Sequence, residues 1–129
     1  MDPYIQYSQT TGSITYYKGD EIIPLGKGWA GNGLGKNNSN MQAVRSVGPL
    51  PQGWYSIGEP HTHPTVGPFA MRLTPEKDTE MFGRDGFLIH GPSMNAAKYG
   101  EESRGCIVAM RPVREKIHSL VVHRLEVVK

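Results

Sequence analysis

Cysteine is nearly absent: Cys106 is the only one in 129 residues. That excludes an internal disulfide and any multi-cysteine zinc site. Long hydrophobic runs are missing too. No stretch of about 18 apolar residues occurs, so no membrane-spanning helix is expected. Met1-Asp2-Pro3-Tyr4 shows no basic segment followed by an apolar one, so no secretory leader is read there. Charge of one sign is not in excess, with 14 Lys and Arg against 12 Asp and Glu. Without a basic stripe, nucleic acid is not the expected partner. Three Phe, two Trp and a scarcity of helical periodicity argue against a helical bundle.

Glycine and proline are abundant instead, at 16 and 10 residues, so turns are dense. The length suits one domain over residues 1–129. Ile5 and Tyr7, then Ile14 and Tyr16, alternate with polar residues around turn signals at Thr10-Thr11-Gly12-Ser13 and Lys18-Gly19-Asp20. This predicts a β-meander through Leu25. Residues 26–40 read as a glycine- and asparagine-rich loop holding Trp29. Its Gly26-x-Gly28-x-x-Gly31 spacing matches a dinucleotide fingerprint, but no helix follows and no βαβ unit surrounds it, so that reading is rejected. Trp29 could pack on the core or stack on a ligand.

Further strands are predicted after the turn at Gly48-Pro49-Leu50-Pro51, over Phe69 to Leu73, over Gly86 to His90, and over Arg124 to Val128. Gly91-Pro92 ends the third of these, because proline cannot donate to a ladder. Pro112 to Val122 is the one helical pattern. Val113, Ile117, Leu120 and Val121 form an apolar face, Arg114, Glu115 and Lys116 cover the other, and Pro112 suits the first helical position. The expected fold is mainly β, a small sandwich or partly closed barrel with one short helix near the C-terminus.

Chemistry concentrates in two segments. His90 ends an apolar strand, and Cys106 follows a Ser103-Arg104-Gly105 turn sixteen residues later. A thiol with an ordinary pKa of about 8.5 is only a few per cent thiolate at neutral pH, and a nearby imidazole can take its proton. Gly105 permits a tight turn whose amides could face the oxygen of a tetrahedral intermediate. On the residues alone, a buried apolar filler at Cys106 and a satisfied core histidine at His90 are the favoured reading. His61 and His63 alternate as zinc ligands can, but a third ligand is not evident from spacing. They are expected near the rim of the site instead. His118 and His123 read as surface residues.

The His-Gly pair followed by Ser-x-Gly-Cys resembles the catalytic motif of the L,D-transpeptidase (YkuD-type) family. The turn into Gly53-Trp54-Tyr55 is similar to that family's proline-glycine turn. The Gly31 to Asn38 loop and the Gly105-Cys106-Ile107-Val108 ending resemble its type VI secretion effector branch. The resemblance covers about residues 26–122. It implies Cys106 as nucleophile, His90 as general base oriented by a backbone carbonyl near Ser103, and Gly105 and Cys106 amides as the oxyanion hole. Arg104, Gly91, Trp29 and Tyr99 are the expected substrate contacts. Many members carry an arginine soon after Cys-Ile; Val108 stands there, leaving Arg104 and Arg111 as candidates.

The resemblance also implies peptidoglycan stem tetrapeptides as substrate, with release of D-Ala or exchange for another D-amino acid through a thioacyl-enzyme. No cofactor or metal is expected. It further implies a monomeric toxin made in the cytoplasm, acting in a target cell's periplasm without entering a membrane, and countered by a cognate immunity protein. The rival readings are a non-catalytic cell-wall binding module and a cysteine amidase or endopeptidase cutting another bond.

Overall fold

The computed structural model describes residues 2–93 and 103–129. Strands β1 (Tyr4–Ser8), β2 (Ser13–Lys18) and β3 (Glu21–Lys27) form the expected antiparallel meander. Ile5, Tyr7, Ile14 and Tyr16 are its buried face, as a period of two requires. The loop that follows hides β4 (Trp29–Ala30), too short to give a pattern of its own, and 3-10 turns at Gly33–Gly35 and Ser39–Met41. Then come β5 (Gly53–Ile57), β6 (His61–His63), β7 (Gly67–Pro75), β8 (Leu88–His90), β9 (Ile107–Val108), α1 (Arg111–Ser119) and β10 (Arg124–Val128).

The strands join into one mixed sheet in the order β3-β2-β1-β10-β5-β7-β8-β9-β4, with β6 on β7. The β1–β10 and β8–β9 pairs are parallel. The two ends of this order, β3 and β4, are consecutive in sequence and separated by Gly28 alone. A sheet whose outer strands share one connecting residue must curl back on itself, which is the partly closed arrangement expected. Gly28 is the seam. Its N–H donates to Gly12 O at 2.9 Å, and a Cβ on it would lie 2.2 Å from Val108 O. Long β7 makes the bend, pairing β5 through Leu73 to Pro75 and β8 through Met71 and Arg72.

Helix α1 seals the curl. Ile117 is buried, and Val113 and Leu120 pack partly on the core. The helix starts at Arg111, so Pro112 is its second residue rather than its first, and it ends at Ser119. Val121 is not on the apolar face: it has φ +53° and is 70% exposed, while Val122 is buried in its place. Arg114, expected on the polar face, is only 5% exposed.

Tyr7 and Tyr55 are fully buried. Tyr55 Oη donates to Pro51 O at 2.6 Å. Burial pushes both phenols well above the ordinary tyrosine range. Because the folded pKa is raised, the folded state is disfavoured as pH rises above about 10, where an unfolded tyrosine ionises. Tyr7 and Tyr55 are therefore expected to ionise only together with unfolding. Absorbance at 295 nm recorded beside far-ultraviolet circular dichroism tests this. Full tyrosine ionisation with an intact β signal would contradict it.

Candidate active site

Parallel strands β8 and β9 bring the two halves of the motif together. Ile89 lies beside Ile107 and His90 beside Val108. One step back along this ladder sets Cys106 beside Leu88, and the Leu88 N–H lies 3.4 Å from Cys106 Sγ. Residues 90 and 106 thus share a sheet face, while Ile89 and Ile107 enter the core. Two residues of strand rise and one strand spacing separate their Cα atoms by about 8 Å, within reach of an imidazole and a thiol. Both side chains line a cleft of about 1590 Å³. A smaller cavity of about 310 Å³ beneath the end of α1, bordered by Ile57, Met71 and Val122, contains neither.

The turn into Cys106 is held from inside. Ser103 is 0% exposed. Its Oγ donates to Cys106 O at 2.6 Å and accepts from Gly31 N at 2.9 Å and Gly105 N at 3.1 Å. Asn32 Nδ2 donates to Ser103 O at 2.7 Å and to Ser46 O at 2.9 Å. Gly105 has φ +132°, and a Cβ there would meet Arg84 Nη2 and Phe87 Cε1 at 2.6 Å each. Glycine is therefore required by both conformation and space. The Gly105 N–H, expected to face a reacting oxygen, donates to the Ser103 hydroxyl.

Cys106 is half-buried. Burial raises its thiol pKa above the ordinary value. Hydrogen bonds from the Leu88 and Cys106 N–H groups oppose this, as do the charges of Arg72 and Arg84. His90 is 3% exposed, and its Nδ1 lies 2.8 Å from Gly91 O. A carbonyl only accepts, so Nδ1 carries the proton and Nε2 is the basic nitrogen of the neutral ring. The Gly91 carbonyl thus helps to orient the ring.

The described walls of the cleft are strongly cationic. Arg45, Arg84, Arg104, Arg111 and Arg114 line it, against Asp85 as the acidic residue among its described walls. Arg104 is exposed there and Gly91 half-buried. Trp29 does not line it. Its strand β4 pairs with β9, and Lys36 Nζ sits 5.0 Å over its ring. Tyr99 lies outside the described residues. His61 and His63 form β6. His63 Nδ1 accepts from Thr65 N and Val66 N at 3.0 and 3.3 Å, bracing the hairpin whose tip, Thr65 to Pro68, borders the cleft.

Arg84, Arg114 and Asn32 are the residues that sequence reasoning missed. Arg84 donates to the carbonyls of Gly48, Pro49 and Arg104 at 2.8–3.1 Å and to that of Gln42. Arg114 donates to Ala109 O, Pro68 O and Phe69 O at 2.9 Å each. Their targets are backbone carbonyls, which leave no residue-type signature. For Asn32 the flagged Gly31 to Asn38 loop gave the location but not the contact.

A family model described as the Tlde1 domain matches residues 26–129. No curated protein matches the chain. Among solved structures, the helical cell shape determining protein Pgp2 from Campylobacter jejuni is similar with a TM-score of 0.62 and 19% identity, over 98% of this chain and 46% of that one. The Ldtfm–avibactam carbamoyl enzyme has a TM-score of 0.59 at 16% identity, over 100% and 49%. An L,D-transpeptidase from Mycobacterium smegmatis has 0.59 at 13%, over 99% and 59%. The chain therefore has the fold of these proteins while spanning only part of their length.

Proposed function

The chain belongs to the Tlde1 domain family, that of type VI secretion L,D-transpeptidase effectors, and on that premise we propose that it is a cysteine acyltransferase acting on peptidoglycan stem peptides. The observation that carries the reading is the convergence of Cys106 and an Nδ1-protonated His90 on one cationic cleft. Cys106 Sγ attacks the carbonyl carbon of the third stem residue, meso-diaminopimelate, as its proton passes to His90 Nε2. The Cys106 N–H, which bonds its own Sγ at rest, is the candidate donor to the oxyanion. The C–N bond breaks, His90 returns the proton to the leaving amine, and D-Ala departs. A thioester remains on Cys106. Water then yields the tripeptide acid and restores the thiol, which is L,D-carboxypeptidase activity. A D-amino acid amine in place of water gives exchange, and another stem peptide gives a crosslink.

Action as a toxin in a neighbouring cell's periplasm, and an immunity protein seated over the cleft, belong to the same reading. Mass spectrometry of purified muropeptides tests the chemistry. Tetrapeptides are expected to lose one D-Ala residue and become tripeptides, with exchange products when a free D-amino acid is added. Release of a longer peptide would replace this reading with an amidase or endopeptidase. Unchanged muropeptides would favour a binding module.

A further inference from the structure

We propose that Arg114 is a positioning residue for His90: its guanidinium, seated on Gly91, fixes the peptide unit that holds the imidazole in its Nδ1-protonated form. The proposal rests on the acyl-transfer reading above and deepens it, because it makes the tautomer of the base depend on a side chain of α1.

His90 Nδ1 donates to Gly91 O at 2.8 Å. That carbonyl belongs to the Gly91-Pro92 peptide unit, whose chemistry gives its plane little support. Proline brings no N–H to a ladder. Glycine has no Cβ to narrow its torsion angles. The sheet gives out here as well. The β7–β8 register sets Met71 beside Ile89 and Arg72 beside Leu88, and β9 pairs as far as His90. Two residues further, the β7–β8 register would set Phe69 beside Gly91. Phe69 instead has φ +56°, a left-handed conformation that is costly for an aromatic residue and breaks an extended strand.

Arg114 fills that break. It is 5% exposed, where a cation is costly unless it is answered. Its Nη1 donates to Pro68 O and Phe69 O, and its Nε to Ala109 O, at 2.9 Å each. Ala109 N in turn donates to His90 O at 2.9 Å. The guanidinium therefore ties the start of β7 to the chain leaving β9, across the end of β8 that lies between them. Its Nη2 sits where a Cβ on Gly91 would be 2.5 Å away. An arginine tip ordinarily swings aside for a methyl group; this one is held by three carbonyls. Phe69 is held in turn, with Arg111 4.6 Å over its ring and His118 edge-on at 5.8 Å.

The consequence is chemical. Attack by Cys106 needs a lone pair on Nε2, but a neutral imidazole in water carries its proton mainly on that nitrogen. The bond to Gly91 O reverses the preference, and a carbonyl free to turn away would restore it. A base in the wrong tautomer loses most of its power.

Proton–nitrogen correlation spectra of the imidazoles, recorded at alkaline pH where histidine rings are neutral, read the tautomer directly. His90→Asn identifies the signals of residue 90. The wild-type ring is expected with its proton on Nδ1. Arg114→Gln should move a measurable share of it to Nε2. It should also lower kcat about 10- to 100-fold with KM changed less than about threefold. Gly91→Ala pushes the guanidinium away from the other side and should shift the tautomer in the same direction, even if Arg114→Gln does not fold. Added to His90→Asn, either change should cost little more activity, because both act through the imidazole. A wild-type proton on Nε2, or an unchanged tautomer in either folded variant, overturns the proposal. So does a loss confined to KM, or one that persists in full on the His90→Asn background. The tautomer is read without substrate, which separates the two ideas. A shifted tautomer in a protein whose wild type converts no muropeptide keeps the positioning role and sinks the acyl-transfer reading. Normal turnover with an unshifted tautomer does the reverse.

Discussion

His90→Asn is expected to slow acyl transfer by about 10²–10⁴-fold, and Cys106→Ala to abolish it. Asparagine is the informative replacement. Its amide can still donate to Gly91 O, as Nδ1 does at 2.8 Å, so the local structure is kept while Nε2 is lost. A stability change on the scale of the activity loss would instead assign His90 a packing role, since it is 3% exposed. The alanine at position 106 removes only a small, half-buried side chain.

The pH dependence follows from the state of the thiol. Burial is the largest influence on Cys106 and raises its pKa; the flanking N–H groups and the Arg72 and Arg84 charges only partly oppose it. A raised pKa favours the protonated thiol, so at neutral pH Cys106 is expected to rest as a thiol rather than a thiolate. On the proposed mechanism His90 then takes the proton during attack, as a general base. The wild type should therefore show substantial kcat/KM at neutral pH. Residual activity of His90→Asn should keep rising into the alkaline range, where solvent must make the thiolate. Iodoacetamide alkylation, followed by mass across the same range, reads the thiol directly. Fast, pH-independent alkylation of His90→Asn through neutrality would show a thiolate made without the histidine and would end this account.

The strands and the neighbouring positions of His90 and Cys106 were legible because both depend on local pattern. Period-two burial marks β1 and β2, and Gly91-Pro92 marks the end of β8, which places His90 at a strand terminus. What was not legible depends on partners distant in sequence. β4 is two residues long and is defined by its pairing with β9. Arg114 fell on the polar side of a helical pattern, yet the carbonyls of Pro68 and Phe69 draw it inward. The Gly105 amide looked free because nothing in Ser103-Arg104-Gly105 says that the serine hydroxyl turns back on its own loop. Trp29 was weighed as a ligand contact from its loop context alone, and the loop turned out to contain a strand. For β4 and Arg114 the deciding partner was a remote backbone group, and for Gly105 it was a neighbouring hydroxyl.

Arg84→Met is expected to cost about 3–5 kcal/mol of stability, because it strips partners from several buried carbonyls at once. Arg84 is 5% exposed and joins two segments that Asn32 Nδ2 also bridges, through Ser46 O and Ser103 O. Gln42, Gly48 and Pro49 lie on the long connection before β5, and Arg104 lies in the turn before Cys106. Its guanidinium also lies 5.1 Å from the Phe87 ring centroid, and its Nη2 sits where a Cβ on Gly105 would be. Gln9 holds the far end of the same connection through Leu50 O at 2.9 Å, but it does not reach the turn. Without Arg84, the Leu50 N–H to Gly105 O bond at 2.9 Å is the remaining described backbone link between them. The melting temperature should fall by roughly 10–20 °C. At temperatures where the variant stays folded, kcat/KM should also fall, since the backbone that aims Cys106 is loosened. Arg84→Lys should land between the two. An ammonium keeps the charge but cannot span carbonyls arranged for a planar fork. A methionine variant within about 1 kcal/mol of the wild type would show that water or a shifted loop satisfies those carbonyls, and that the turn before Cys106 stands without its clasp.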